Sequence, residues 1–477
     1  NGSAEAEVGN RCPRRATNGR AWVLSGDIFK MASAAEQLAA NLNFAAFYKA
    51  EDLKKRIWFT LGALLVYRLG TYIPMPGIDP EALAQAFQQQ STGILGVFNM
   101  FAGGAVGRMA IFALGIMPYI SASIIIQLMT SVVPSLEALK KEGEQGRKII
   151  NQYTRYGTVL LATVQAYGIA VGLQSSSNIV TDPGMFFVVS SVITLVGGTM
   201  FLMWLGEQIT ARGIGNGISL IIFAGIVANL PSAIANLLEL GRTGALSSFV
   251  ILLVIVVAVG CIAFIVFFER AQRRLLIQYP KRQVGNRMFQ GDTSHLPLKL
   301  NTAGVIPPIF ASSLLLLPVT IANFSDTSQL PGWATGLVAS LGHGQPLYMI
   351  LYASMIAFFA FFYTAIVFNP KDTADNLKKH GGFIPGIRPG ERTAEYIDYV
   401  LTRITVLGAI YLVAICLLPE FLISAVGIPF YLGGTSLLIV VSVTMDTVAQ
   451  VQGHLLAHQY EGLVKKAKLR GGKRGNR

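Results

Sequence analysis

The chain has 477 residues, 52% of them hydrophobic and only 13% charged, with a mean hydropathy of +0.53 and a formal net charge of +13. That balance excludes an ordinary soluble domain and marks a polytopic membrane protein. Cys12, Cys261 and Cys416 are far apart, two of them within apolar runs, so neither a disulfide framework nor a metal site is indicated.

Residues 1–30 stand apart from the rest of the chain. They begin at Asn1, carry Arg11, Arg14, Arg15 and Arg20, and stop before Met31, where MASAAEQLAANLNF opens a helix-forming segment. Met31 is the expected start, and 1–30 is an unassigned extension that a tag, upstream translation or an Arg-rich transit peptide could each explain; no cleavable signal peptide is evident.

Ten spans are expected beyond it, near 57–73, 109–133, 156–174, 185–205, 214–230, 247–268, 301–322, 347–368, 400–418 and 431–450. Of the 38 Lys and Arg residues, 34 fall in the loops at 1–56, 134–155, 206–213, 269–300, 369–399 and 451–477, which lie on one side of such a model. Basic residues accumulate on the cytoplasmic side, so both termini are expected there. The other side holds only Arg108 and Arg242, with Arg68 and Arg403 inside spans. Five spans in residues 31–238 start inward and five in 239–450 start outward, followed by a basic tail at 451–477. That is the arithmetic of an inverted repeat, which puts a pathway between the halves.

The stretch 91–133 is too long for one membrane helix and poorly shaped for two. Met109 to Val133 alone could span, whereas Ile94 to Ala105 is about half that length and ends in Gly103, Gly104, Gly107 and Arg108. Two readings fit the shorter piece. It could enter the membrane and turn back as a plug, buried in protein because its backbone cannot face lipid, or it could lie as an amphipathic helix in the outer interface.

The spans lack buried carboxylates, since Glu207, Glu269 and Asp446 fall near their cytoplasmic ends. Ion-coupled transporters usually keep such groups near mid-membrane. Arg68 reads as a residue that snorkels or pairs with a neighbouring helix. Ile116, Pro118 and Ile120, beside Ser121, Ser123 and Gln127, offer a hydrophobic constriction that resists ions without holding a substrate.

The loops point to partners. Residues 269–300 carry seven basic side chains and protrude further than orientation requires, as suits RNA phosphate or an acidic protein surface. In 369–399 the charges balance, and GGFIPGIRPG is punctuated as a fixed turn that presents Arg388. Enzyme signatures such as GxxxxGK[ST], HExxH and GxSxG are absent, and GIGNG at 213–217 is a turn with the wrong spacing for a dinucleotide.

FNMFAGGAVGRMAIFALGIMPYISASIIIQL (98–128), GEQITARGIGNGISLIIFAGI (206–226), LPLKLNTAGVIPPIFASS (296–313), FNPKDTADNLKKHGGFIPGIRPGERTAEYID (368–398) and PFYLGGTSLLIVVSV (429–443) closely resemble the SecY family, channel-forming subunits of the bacterial protein-export translocon. The resemblance runs from about Met31 to the C-terminus. It implies an all-α polytopic membrane protein in which ten transmembrane helices form two inverted five-helix halves, with a short re-entrant plug helix at about 94–108. The implied pore ring is Ile116, Ile120, Ile218, Ile222, Ile309 and Ile439. The plug would include Phe98, Asn99, Phe101, Gly103, Gly104 and Arg108. Spans 2 and 7 would part as a lateral gate near Ser121, Gln127 and Leu317, and Pro307-Pro308 departs from the family's single proline. Lys281, Arg282, Arg287 and Arg388 would dock the SecA motor or a translating ribosome.

The resemblance also implies SecE and SecG as small membrane partners, signal-bearing preproteins as clients, contact with membrane lipids, and no cofactor, metal or catalytic residue. The expected location is the bacterial inner membrane. Two alternatives remain, a secondary transporter of a small solute, which would need a polar midplane site, and an insertase without a through-pore, which would need no plug.

Overall fold

The apolar runs become helices, and the loops between them carry the charge. The computed structural model describes residues 51–79, 81–83, 99, 102–175, 179–244, 247–279, 282–284, 287–289, 293–324, 345–426 and 433–471. The extension at 1–30 lies outside them. Arg56–Val451 forms one compact unit, and Asn1–Lys55 with Gln452–Arg477 forms another, described only at its helical residues.

Each of the ten expected spans falls on a helix. They are α1 (Glu51–Gly70), α2 (Met117–Val132), α4 (Glu144–Ser175), α5 (Met185–Arg212), α6 (Gly217–Arg242), α7 (Ser248–Arg270), α8 (Ile306–Phe324), α9 (Pro346–Val367), α11 (Glu391–Val426) and α12 (Gly434–Gly471). Among the described residues seven of these are long and apolar enough to cross a membrane. The exceptions are α1, with charges at both ends, α2 and α8. Large apolar side chains such as Trp58, Phe186 and Phe249 point outward, as lipid-facing positions require.

Two short polar helices lie between spans, α3 (Pro134–Lys141) and α10 (Pro370–Lys379). Both follow the same local rules. Proline fills the first turn, where its missing N–H costs nothing, an acid follows it, and lysines close the last turn against the helix dipole. Pro134 also forces Val133 into an extended conformation, and α2 and α3 meet at 98°. Outside the spans, the hydrogen bond from Lys141 holds the exposed Glu137 carboxyl below its ordinary pKa.

The first half packs as α2 on α4, α4 on α5 and α5 on α6; the second packs α8 on α9 and α9 on α11. The halves touch where α8 lies on α2 and α4, and again where α6 meets α7. One large apolar cluster takes residues from both, including Leu202, Ile209 and Ile226 in the first and Ile356, Leu412 and Leu438 in the second.

Two features depart from the sequence reading. The second span is helical only from Met117, because residues 109–116 form turns with positive φ at Met109 (+42°) and Gly115 (+57°). The loop at 269–300 departs from the all-α expectation by carrying strands. Strands β1 (Gln272–Gln278) and β4 (Thr293–Lys299) pair antiparallel, as do β2 (Arg282–Val284) and β3 (Arg287–Phe289).

Candidate functional site: an isoleucine waist, a folded-back segment and a docking face

The six candidate ring positions come from four helices. Ile116 caps α2, and Ile120 follows one turn later on the same face. Ile218 and Ile222 repeat that spacing at the start of α6. Its N-terminus is fixed by the Asn216 side chain, which accepts the Ile218 N–H at 3.2 Å. Gly217 is required there for close approach, since a Cβ would collide with the Gly206 carbonyl of α5. Ile309 lies on α8 and Ile439 on α12.

Four belong to the large cluster and the other two pack against it. Ile439 is 1% exposed, Ile116 4%, Ile222 5% and Ile120 7%, while Ile218 and Ile309 are half-buried against them. Isoleucines from both halves are therefore part of one apolar cluster or packed against it, and none presents a hydrogen-bonding side chain.

The turn from α5 into α6, residues 213–217, is held from both halves. Thr60 Oγ1 on α1 accepts the Ile214 N–H at 3.1 Å, and Arg56 donates to the Gly213 carbonyl at 3.3 Å. Gln450 Oε1 on α12 accepts the Gly215 N–H at 2.9 Å. Sequence reasoning found the turn but not these partners, whose side chains are remote in sequence.

Of the candidate plug residues, Phe98 and Phe101 lie outside the described residues. Asn99 fastens the segment to itself: its side chain accepts the Gly107 N–H and its carbonyl the Gly104 N–H, both at 2.8 Å. Ala102, Gly103, Gly104 and Ala105 are buried, and Arg108 is exposed. The segment returns beside the loop after α1, where Met75 N–H donates to Met109 and Ile111 N–H to Ile73, at 2.9 and 3.0 Å. Arg68, at the end of α1, donates to the Gly103 carbonyl at 2.7 Å. Gly103 adopts φ +67°, and a Cβ there would press on Tyr67 and on the Gly225 backbone of α6.

At the α2–α8 seam Ser121 is buried and Gln127 half-buried; Leu317 lies on α8. The carboxylates near the span ends are engaged, Glu207 by Arg155 in a bidentate pair at 2.7 and 3.2 Å and Glu269 by the Asn301 amide at 2.6 Å. No cluster of metal-ligating side chains occurs among the described residues.

The two charged loops form one structure. Leu275 and Leu298 from the β1–β4 pair pack with Ile384, Ile397 and Ile404. Arg282 and Arg287 lie on β2 and β3, and Lys281 lies outside the described residues. Arg388 is exposed beside an open hollow of about 740 Å³ lined also by Arg392, Glu395, Tyr396 and Tyr399. Its carbonyl accepts from Thr393 Oγ1 at 2.9 Å, which fixes the turn it sits in.

A family model described as SecY matches residues 110–448, well over half of the chain. The chain belongs to the SecY family. The protein translocase subunit SecY of Vibrio cholerae is 58% identical over 425 residues, covering 88% of this chain and 96% of the relative. That of Escherichia coli K12 is 58% identical over 423 residues, covering 88% and 96%. Among solved structures, a SecY whose plug domain is described as stabilising the closed state of the translocation channel has a TM-score of 0.62 at 18% identity, covering 84% of this chain and 92% of its own. Sec61 in the canine ribosome-channel complex has a TM-score of 0.58 at 17% identity, covering 84% and 92%. This SecY-family chain is thus a translocase subunit, a multi-pass membrane protein with the fold of a protein-conducting channel.

Proposed function

We propose that the chain is the central subunit of a channel that passes unfolded preproteins across the bacterial plasma membrane and releases apolar segments sideways into the lipid. The observation that carries this reading is one apolar cluster that takes isoleucines from both halves, four of the six candidates buried in it and two packed against it. Aliphatic side chains exclude water and ions, yet they offer a passing peptide no hydrogen-bond partner, so the constriction can seal around varied sequences without binding any. Residues 94–108 act as the plug, the α2–α8 seam as the lateral gate near Ser121, Gln127 and Leu317, and the joined loops with Arg282, Arg287 and Arg388 as the docking face for the SecA motor and the ribosome. SecE and SecG are the small membrane partners, and both termini face the cytoplasm. A solute transporter would need a polar midplane site, whereas Glu207 and Glu269 are engaged near the span ends.

The test is reconstitution with the small subunits in vesicles. Addition of the motor, ATP and a signal-bearing preprotein should render the preprotein resistant to external protease. Vesicles that accumulate small solutes but protect no preprotein would overturn the reading in favour of a transporter.

A further inference from the structure

Arg68 is a cation in the last turn of α1, inside an expected span, and it takes part in no ion pair among the described residues. Its guanidinium is instead spent on the folded-back segment. One nitrogen donates to the Gly103 carbonyl at 2.7 Å and another to the Tyr72 hydroxyl at 2.9 Å. Tyr72 in turn is flanked by two cations, with Arg68 4.8 Å and Arg108 4.1 Å from its ring centre. Arg108 belongs to the segment, whereas Arg68 and Tyr72 belong to α1 and the loop after it. Two links therefore run across the gap in opposite directions, Arg68 to Gly103 and Arg108 to Tyr72.

Among the described residues, the backbone bonds between the segment and the α1 loop reach only Met109 and Ile111. Gly103 lies beyond that anchored end, and the hydrogen bonds of Asn99 tie the segment to itself rather than to the helices. A charge-assisted bond to a carbonyl is strong where water is scarce. It is also easily lost if the segment moves, because two like charges share one ring and gain from separating.

We propose that Arg68 is the latch of the plug: a positioning residue that holds Gly103 against the closed bundle and must let go before the channel conducts. This rests on reading residues 94–108 as a plug, and the two ideas fail separately. The arginine acts through the segment and touches no passing chain.

The experiment records ion conductance of the purified complex, with its small membrane subunits, in planar bilayers. Arg68→Met should raise the open fraction about tenfold, the change expected from losing a hydrogen bond to a charged group. Arg68→Lys should fall between, since one ammonium cannot serve Gly103 and Tyr72 in the same fork. In a chain lacking residues 98–107, Arg68→Met should add nothing to the leak of the deletion. A silent Arg68→Met channel beside a leaking deletion would overturn the latch and leave the plug. A silent deletion would overturn the plug reading and the latch with it. Equal added leak with and without the segment would show that Arg68 merely supports the bundle. If Arg68→Met does not assemble, Tyr72→Phe removes the hydroxyl acceptor alone: a smaller leak, again absent in the deletion, supports the latch, and wild-type silence overturns it.

Discussion

Gln278 and Phe383 exchange both of their backbone hydrogen bonds, each at 2.9 Å, across more than a hundred residues of chain. This reciprocal pair adds Phe383 to the free edge of β1, whose other edge is taken by β4. Beneath it, Ile384 packs on Leu275 and Leu298. The consequence is mechanical. A partner that pushes on one loop pushes on both, and through them on α11, which comes directly after Arg388, and on α8, which comes after β4.

Phe383→Pro removes the N–H that donates to Gln278 and leaves that carbonyl without its partner. The cost should be about 1–3 kcal/mol, confined to the loops. Hydrogen exchange should rise in residues 272–278 and remain as in wild type across α4 and α5. Unchanged protection in β1 would mean that the apolar cluster, not the backbone pair, joins the loops.

Arg388→Glu should abolish motor-driven export while the complex assembles and melts as wild type. The side chain is exposed, so little stability is at stake. Reversing its charge also places an acid beside Glu395 in the same hollow. Preprotein protection in vesicles at the wild-type rate, with motor present, would remove Arg388 from the docking account.

Gln450→Leu should destabilise the detergent-solubilised complex by about 1–3 kcal/mol, because the Gly215 N–H then lies half-buried without an acceptor. Gln450→Glu keeps an acceptor oxygen and should lose less. Thermal unfolding of both variants decides it, and equal losses would assign the effect to packing of α12 instead of to the bond.

Whether a feature is legible in the sequence depends on the physics that feature obeys. Span positions were legible, since length and apolarity alone mark them, and each of the ten lands on a helix. Met109–Ile116 was not legible as turns. Its composition, MAIFALGI, is as apolar as a helix, and a buried turn differs only in where its backbone hydrogen bonds go. Here two of them join Ile73 and Met75 and others close local turns, which hydropathy does not register. The β2–β3 pair was missed although Gly285-Asn286, between Val284 and Arg287, carries a two-residue turn signal. Ile116 and Ile120 were read from the residues as a constriction, and the other four ring isoleucines came only from family resemblance, because a packing isoleucine and a pore isoleucine look alike in one sequence. Arg68 was read as snorkelling or pairing with a helix, while its partners are a loop carbonyl and a phenol.

The proposed waist should set the threshold for opening, and Ile439 is the sharpest place to test it because it is the most buried member. Cohesion of the ring comes from apolar contact, at roughly 25 cal/mol per Å² removed from water. Asparagine at this position brings an amide that only water can satisfy among isoleucines, so the closed state loses about 1–3 kcal/mol relative to an open, wetted one. A shift of that size multiplies the open population by about 5 to 150. Ile439→Asn should therefore export a reporter whose defective signal sequence cannot open the wild-type channel. Ile415 makes a demanding control, since it is 4% exposed, belongs to the same apolar cluster and lies on α11 outside the ring. Ile415→Asn carries a similar burial penalty and should give no rescue at matched expression. Equal rescue by both would mean that general loosening of the bundle opens the channel, and rescue by neither would take the ring out of the gating account.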